Sequence, residues 1–226
     1  MSFDRYIQSL DRIIKEEKSF NVKFFIINDD VEQKVETAIA MLCERFCKPE
    51  LPGIIYTCVK ELMINGTKAN LKRILFEKNE FDIDDENQYI KGMMDFRNAL
   101  NEDAYQTYLG ELKQKDLWVN VKFEYDSKGM RMKVINNAHI TSIEDKRLRE
   151  KLKKAMTYED IAQFYLDQGD ELEGAGMGIA LIVMLLKGIE VDPSLFRIGN
   201  TPENRTFARI EIPMAEDFVC QRARGK

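Results

Sequence analysis

The hydrophobic positions of the chain repeat mostly at the three- and four-residue spacing of amphipathic helices, with short β-rich runs between them. Helices are predicted over 3–17, from Asp29 or Asp30 to Phe46, over 53–76, once or twice within 79–116, over 143–168, and from the glycines at 174–178 to about Lys187. Strands are predicted over 21–28, 117–125, 130–135, 195–198 and 206–212. This order predicts an α+β fold in which helices cover one face of a mixed or antiparallel sheet.

The composition is that of an ordinary globular protein with an acidic balance. The 226 residues are 44% hydrophobic, enough for a sizeable core in one large domain or two small ones. The net charge of −5 gives no general attraction to nucleic acid or anionic membrane, so neither is expected as a partner.

Targeting signals and cysteine usage point to the cytoplasm. The longest apolar run, 179–186, is far below the roughly 20 residues of a membrane helix, and the start lacks the apolar segment of a signal peptide. The 4 cysteines are too few for a disulfide scaffold. The single histidine, His139, leaves almost no basis for a Ser-His-Asp triad or a multi-histidine metal site. We therefore expect a cytoplasmic protein whose chemistry uses other residue types.

The predicted helix over 53–76 carries a stripe of polar side chains. At about 100° per residue, four of them fall within about 60° of one another, namely Glu61, Asn65, Lys68 and Lys72. Such a stripe is typical of a solvated helix face with spaced charge pairs. The same residue types also suit nucleotide chemistry, since an amide oxygen can bind Mg²⁺, a carboxylate can polarise water and a lysine can meet a phosphate. Periodicity alone leaves both interpretations open.

A cluster of three alternating glycines, Gly174, Gly176 and Gly178, precedes an apolar helix. Glycines let the backbone bend, and the free N–H groups at a helix start attract an anion, so the cluster is a candidate triphosphate cradle. It lacks the Gly-Lys-Ser/Thr of a P-loop, and it follows a helical region rather than the strand of a dinucleotide fingerprint. The alternative is a glycine loop that only caps a buried helix.

Taken together, the two features resemble the GHKL ATPases, the fold shared by gyrase-type ATPases, histidine kinases and anti-sigma-factor serine kinases. The stretch KELMINGTKAN is similar to the family's N box, with matches at Glu61, Asn65, Lys68 and Ala69. GAGMG resembles the second glycine box, and Thr206-Phe207 with Pro213 resembles the closing Gly-Thr-x-Phe…Pro element. The resemblance covers about 20–213, with a helix in 1–19 before it, a helical insertion in 79–116 and a tail in 214–226.

The resemblance implies a Bergerat-type two-layer sandwich that binds ATP and Mg²⁺ beneath a helical lid at about 138–176. Asn65 would bind the metal ion and Glu61 would be the base or water-orienting residue. The phosphates would be wrapped by Gly174, Gly176 and Gly178, with a possible contact from Lys68. Thr206 would belong to the nucleotide site.

The resemblance also implies partners. A stand-alone protein with the layout of the anti-sigma-type kinases would act on a signalling protein, and 79–116 is a candidate partner or homodimer surface. A histidine kinase carries its acceptor histidine on a preceding helical hairpin, whereas His139 falls in the nucleotide-box region. Any phosphotransfer would therefore go to another protein or to Ser/Thr.

Two positions depart from the family pattern. Where the first glycine box has Asp-x-Gly, this chain has Asn136-Asn137-Ala138. An amide oxygen at Asn136 can still accept from the adenine amino group, while an amide nitrogen would donate to guanine O6 instead. The sequence thus predicts either a nucleotide-dependent kinase or ATPase, or a catalytically weak or inactive module that switches partner binding.

Overall fold

The computed structural model describes residues 3–100, 104–158, 162–163 and 177–223. Eight α-helices have defined bounds in this part of the chain, with one short 3₁₀ turn at Pro193–Leu195. They are α1 (Phe3–Lys15), α2 (Asp29–Arg45), α3 (Pro52–Lys78), α4 (Glu86–Ala99), α5 (Ala104–Thr107), α6 (Leu109–Gln114), α7 (Ser142–Thr157) and α8 (Met177–Gly188). None of these helices is long and apolar enough to cross a membrane.

The strands form a single five-stranded sheet in the order β1-β2-β3-β5-β4, and every neighbouring pair is antiparallel. The strands are β1 (Phe20–Phe24), β2 (Val119–Asp126), β3 (Gly129–Asn136), β4 (Phe196–Asn200) and β5 (Thr206–Pro213). The predicted α+β class is confirmed, and of the two predicted sheet types the described strands form the antiparallel one.

The main core lies between one face of the sheet and helices α1, α2, α3, α7 and α8. Alternate residues of the central strands point into it, for example Val121, Phe123 and Met132, each fully buried. Period-two alternation of this kind is what places one face of a sheet against helices. The N-terminal helix belongs to the same core through Leu10 and Ile14.

Helices α4, α5 and α6 pack against the second half of α3, away from the main core. Two smaller apolar clusters fix them there, around Ile74 with Leu112 and around Leu71 with Phe96. Gly92 of α4 lies directly on the Phe76 ring, where any Cβ would collide with the ring atoms. The described part of the predicted helical segment 79–116 therefore forms an additional layer packed on α3.

The other face of the sheet is polar. The segment after β5 covers the part of this face around Arg131. Arg131 donates to the backbone oxygen of Val219 at 3.0 Å and pairs with the buried Glu211 at 3.0 Å. Phe218 stacks under the Arg131 guanidinium at 4.8 Å. This network holds the described part of the C-terminal tail against the sheet.

Several predicted boundaries were wrong, among them those of α2, β1 and α7. The N-cap of α2 is Asn28, whose side chain accepts from the Val31 N–H, so the helix begins one or two residues earlier than expected. Strand β1 ends at Phe24, because Ile26 leaves the sheet to pack beside Ile74. Helix α7 ends at Thr157, where the next residue is extended, while 159–161 and 164–168 lie outside the described residues.

Candidate functional site

A cavity of about 1000 Å³ lies between α3, the ends of β3 and β5, and helices α4, α7 and α8. Helix α3 forms its floor because Gly66 allows the helix to sit close to the sheet. A Cβ on Gly66 would lie 3.3 Å from Val119 and 3.5 Å from the Cβ of Asn136. Three of the site residues predicted from the sequence line this cavity, namely Asn65, Asn136 and Thr206.

Asn136 and Thr206 lie side by side because they are register partners at the end of the β3–β5 ladder. Asn136 is 4% exposed, and its amide nitrogen donates to Asn70 Oδ1 and to the Ala138 carbonyl, each at 3.3 Å. The Thr206 hydroxyl donates to the same carbonyl at 2.6 Å. Both N–H groups of the Asn136 amide are thus directed within the protein, which leaves its oxygen as the group for a ligand.

Glu61 and Asn65 stand one turn apart on α3 and face the start of α8. A Cβ on Gly178 would collide with the Glu61 carboxylate and would lie 3.6 Å from the Asn65 amide nitrogen. Neither Glu61 nor Gly178 lines the cavity wall itself, so the pair sits at its edge beside Asn65. The fold therefore brings Gly178 next to Glu61 and Asn65, which lie more than a hundred positions earlier in the chain.

The remaining predicted glycines and Lys68 are placed differently. Gly174 and Gly176 lie outside the described residues, so their contact with phosphates stays a prediction. Lys68 lines a second cavity of about 450 Å³ with Ile27, Glu32 and Tyr105, on the other side of α3. Lys68 and Asn65 thus line different cavities.

A buried charge cluster at the far end of the cavity was missed by the sequence analysis. Glu144, whose side chain is 12% exposed, pairs with both Lys72 and Arg73. Burial alone would raise the pKa of Glu144, but the two cations lower it to about 2. Burial lowers the pKa of Lys72, and Arg73 and Arg147 lower it further against the opposing effect of Glu144. An excess of cations over carboxylates lowers the pKa of the carboxyl group and the pKa of the lysine alike.

One sequence signal could have pointed to Glu144. Thr141-x-x-Glu144 is a capping box, and both of its hydrogen bonds are present at the start of α7. The pairing with α3 is a tertiary contact that no local pattern encodes. His139 lies in the loop between β3 and α7, lines the cavity, and accepts a hydrogen bond from Arg73 through its backbone oxygen at 2.5 Å.

Helix α7 crosses the cavity and is held to α8 at its end. The Lys187 ammonium donates to the backbone oxygens of Met156 at 3.1 Å and Tyr158 at 2.6 Å. A lysine that binds the last carbonyls of a helix stabilises that helix end. The predicted lid region therefore contributes a fixed helix to the cavity wall.

The donor set at the edge of the cavity suits a magnesium ion that a ligand also helps to bind. Within the described chain, no group of three or more His, Cys, Asp and Glu side chains could hold a metal ion. Asn65 offers an amide oxygen, a ligand of the kind that Mg²⁺ accepts, and the Glu61 carboxylate stands one turn away from it. Mg²⁺ usually keeps several waters and binds through one or two protein groups plus substrate phosphates.

Comparison with known proteins assigns no activity to the chain. No family model matches the chain. An uncharacterized protein of Treponema pallidum (strain Nichols) is 30% identical over 174 residues, which is 77% of this chain and 34% of that protein. The chain thus spans about a third of the length of the curated relative that it matches. No solved structure matches either.

Proposed function

We propose that this protein is an ATP- and Mg²⁺-binding regulatory protein with the histidine-kinase-like GHKL fold, built as a Bergerat-type two-layer sandwich. One observation carries the proposal: residues predicted to hold one nucleotide come from four separate elements and meet in one cavity or at its edge. Asn65, Asn136 and Thr206 line it, and Gly178 contacts the edge where Glu61 stands.

The hydrogen bonds of Asn136 favour adenine over guanine. Because both amide N–H groups are used inside the protein, the free oxygen can accept from the amino group of adenine. Guanine presents a carbonyl oxygen at the same position, and two acceptors facing each other cannot form a hydrogen bond. The proposed ligand is therefore ATP.

Glu61 and Asn65 take the proposed catalytic and metal-binding roles at the phosphate end of the site. The amide oxygen of Asn65 would bind Mg²⁺, which neutralises phosphate charge when it is bound. The Glu61 carboxylate, one turn away, would orient a water molecule or accept a proton from an attacking hydroxyl. The proposed acceptor of any phosphoryl transfer is a protein partner.

A second candidate function is an interaction module that binds nucleotide without turnover and switches partner binding. The stretch Asn136-Asn137-Ala138, in place of Asp-x-Gly, favours this candidate. It predicts ATP binding with no hydrolysis and no phosphorylation, and it differs from the first candidate only in the use of Glu61.

The proposal is tested by thermal unfolding with ATP plus Mg²⁺, with GTP plus Mg²⁺ as the comparison. Ligand at 100 times its dissociation constant stabilises the fold by about 2.7 kcal/mol. We expect stabilisation by ATP, a much smaller effect of GTP, and loss of the ATP effect in Asn65→Ala. No shift at millimolar ATP would contradict nucleotide binding altogether.

Glu61→Gln separates the two candidates. Equal ATP binding with lost turnover identifies Glu61 as the base or water-orienting residue, whereas a wild-type protein without turnover identifies the switching module. Lys68→Ala is the matched control on the same helix. Because Lys68 lines the second cavity, we expect its removal to leave ATP affinity within about twofold.

A further inference from the structure

The cavity extends in two directions from Asn136 along the axis of α3. Gly66 lies against Asn136, with Glu61 five residues before it and Arg73 seven residues after it. At a rise of 1.5 Å per residue, these positions are about 7 Å and about 10 Å from Gly66 in opposite directions. A nucleotide whose base contacts Asn136 can send its triphosphate in only one of the two directions.

The direction away from Glu61 ends in a group of cations. We call this group the basic end, and it consists of Lys72, Arg73, Arg97, Lys146 and Arg147, all lining the cavity. The described carboxylates that line the cavity are Glu144, which is shared by Lys72 and Arg73, and the exposed Glu86 and Glu150. The basic end therefore has more positive than negative charges, and part of this charge is buried.

Several donors of the basic end have no acceptor within the described chain. The buried Nε of Arg73 has no hydrogen-bond partner. Arg147 lies over the Tyr89 ring at 4.7 Å, Lys72 lies 5.6 Å from the same ring, and Arg147 makes no ion pair with the described residues. Buried donors without partners and like charges in contact both cost free energy, and an anion at this place relieves both costs.

We propose that the basic end is a second anion-binding subsite, which takes a phosphate-sized dianion separately from the triphosphate. Arg147 and Lys72 have donors to spare, and α4 closes this end with Tyr89 and Arg97. The ligand is either free inorganic phosphate or the phosphoryl group of a phosphomonoester. That the subsite is separate from the triphosphate rests on the proposed function, which directs the triphosphate towards Glu61, Asn65 and Gly178.

The test is a calorimetric titration of the full chain with inorganic phosphate, and then with O-phosphoserine, in a phosphate-free buffer at low salt. We expect saturable binding that weakens at least tenfold in Arg147→Gln. The matched control is Lys153→Gln, since Lys153 is exposed on the same helix and does not line the cavity. It should change the affinity less than twofold. Arg97→Gln gives a second measurement at an exposed position, in case Arg147→Gln disturbs the fold.

Each result has a defined meaning. Preference for inorganic phosphate identifies a free-ion subsite, and preference for O-phosphoserine identifies a subsite for a phosphorylated ligand. Absence of saturable binding, or equal weakening by Lys153→Gln, overturns the proposal. Displacement of phosphate by ATP plus Mg²⁺ also overturns it, because the triphosphate would then occupy the basic end. Phosphate binding without any ATP binding would refute the proposed function and leave the subsite standing.

Discussion

Gly178 shows how a single missing side chain shapes the edge of the cavity. Its Cα faces the Glu61 carboxylate at a distance that leaves no room for a Cβ. Because the colliding atom is the end of a flexible side chain, an added methyl group would displace the carboxylate rather than disrupt the helix packing. The glycine thus keeps Glu61 beside Asn65.

We therefore predict that Gly178→Ala folds with a stability within about 1 kcal/mol of the wild type, but weakens ATP·Mg²⁺ binding or turnover at least tenfold. The matched control is Gly188→Ala in the same helix, where a Cβ would meet nothing within 4 Å. This control should retain wild-type binding and should be as stable or slightly more stable. Calorimetric titration and thermal unfolding of both variants would measure these effects, and equal binding by the two would contradict the role of Gly178.

Glu144 makes stability depend on pH in the acidic range. Its pKa is about 2 in the folded protein, against an ordinary value of 4.5. A carboxyl whose folded pKa is depressed stabilises the fold above its unfolded pKa, and this contribution disappears as pH falls from about 4.5 to about 2. The contribution is on the order of 3 kcal/mol at neutral pH.

We expect Glu144→Gln to lower the free energy of unfolding by about that amount at pH 7, because Lys72 and Arg73 lose their shared counter-ion. Urea unfolding at pH 7, 5, 4 and 3 should show the difference from the wild type shrinking towards acid. Glu150→Gln, an exposed change on the same helix, is the control and should be neutral at each pH. A difference that does not vary with pH would contradict the charge-based explanation.

At the scale of an element, helix α3 divides its polar stripe between two cavities. Asn65 and Lys72 face the large cavity, Lys68 faces the small one, and Glu61 stands at the edge. A stripe of residues within about 60° on a helix therefore does not identify a single site, since the elements packed around the helix decide which cavity each residue lines. Helices α4, α7 and α8 line the large cavity beside α3, whereas Ile27, Glu32, Leu100 and Tyr105 line the small one.

The sheet carries a row of cations on its polar face. Register pairs Lys122 with Lys133, Lys133 with Arg209, and Arg209 with Arg197. Like charges directly opposite on neighbouring strands are destabilising. Lys122 is compensated by Glu124 at 2.6 Å, whereas Lys133 makes no ion pair with the described residues. Burial lowers the pKa of Lys133, and Arg209 and Lys122 lower it further despite the opposing effect of Glu124.

Lys133→Gln should therefore stabilise the protein by roughly 0.2–1 kcal/mol, because it removes an uncompensated charge from the middle of the row. Lys122→Gln is the matched control, and it should bring no gain because it also removes the pair with Glu124. Chemical unfolding at low salt would show the effect, and added salt should reduce it. A loss of stability in Lys133→Gln would contradict this account of the row.

At the scale of the whole molecule, the N-terminal helix is tied to the central hairpin. The Tyr125 hydroxyl donates to the backbone oxygen of Lys18 at 2.9 Å or of Ile13 at 3.1 Å. Leu10 and Ile14 share the main core with the sheet. These contacts make residues 3–19 part of the same folding unit as the described part of 20–213.

Tyr125→Phe should lower stability by about 1 kcal/mol, since it leaves backbone oxygens without this donor, and should lower Tm by about 2–4 °C. Circular dichroism and tyrosine or tryptophan fluorescence should report one common transition for both proteins. Tyr108→Phe is the control, because its hydroxyl makes no hydrogen bond with the described residues. Separate transitions would show that the N-terminal helix unfolds independently.

The sequence by itself determined the class of the fold and the order of nearly all its elements. Periodicity of 3.6 and 2 is a local property, so the α+β class, the hairpin of β2 and β3, and the long helix containing Glu61 and Asn65 were predictable. The sequence also named Asn136 and Thr206 in two separate motifs, and the structure shows that they are register partners. Boundaries such as the end of β1 were not, because Ile26 leaves the sheet for a tertiary contact with Ile74.

Only the tertiary structure decided which residues share a site. The buried pairing of Glu144 with Lys72 and Arg73, the separation of Lys68 from Asn65, and the wall that α4 adds to the cavity all depend on distances between remote segments. The physical reason is that charge energies and cavity shape depend on positions in space. A linear pattern constrains those positions only within a single helix or strand.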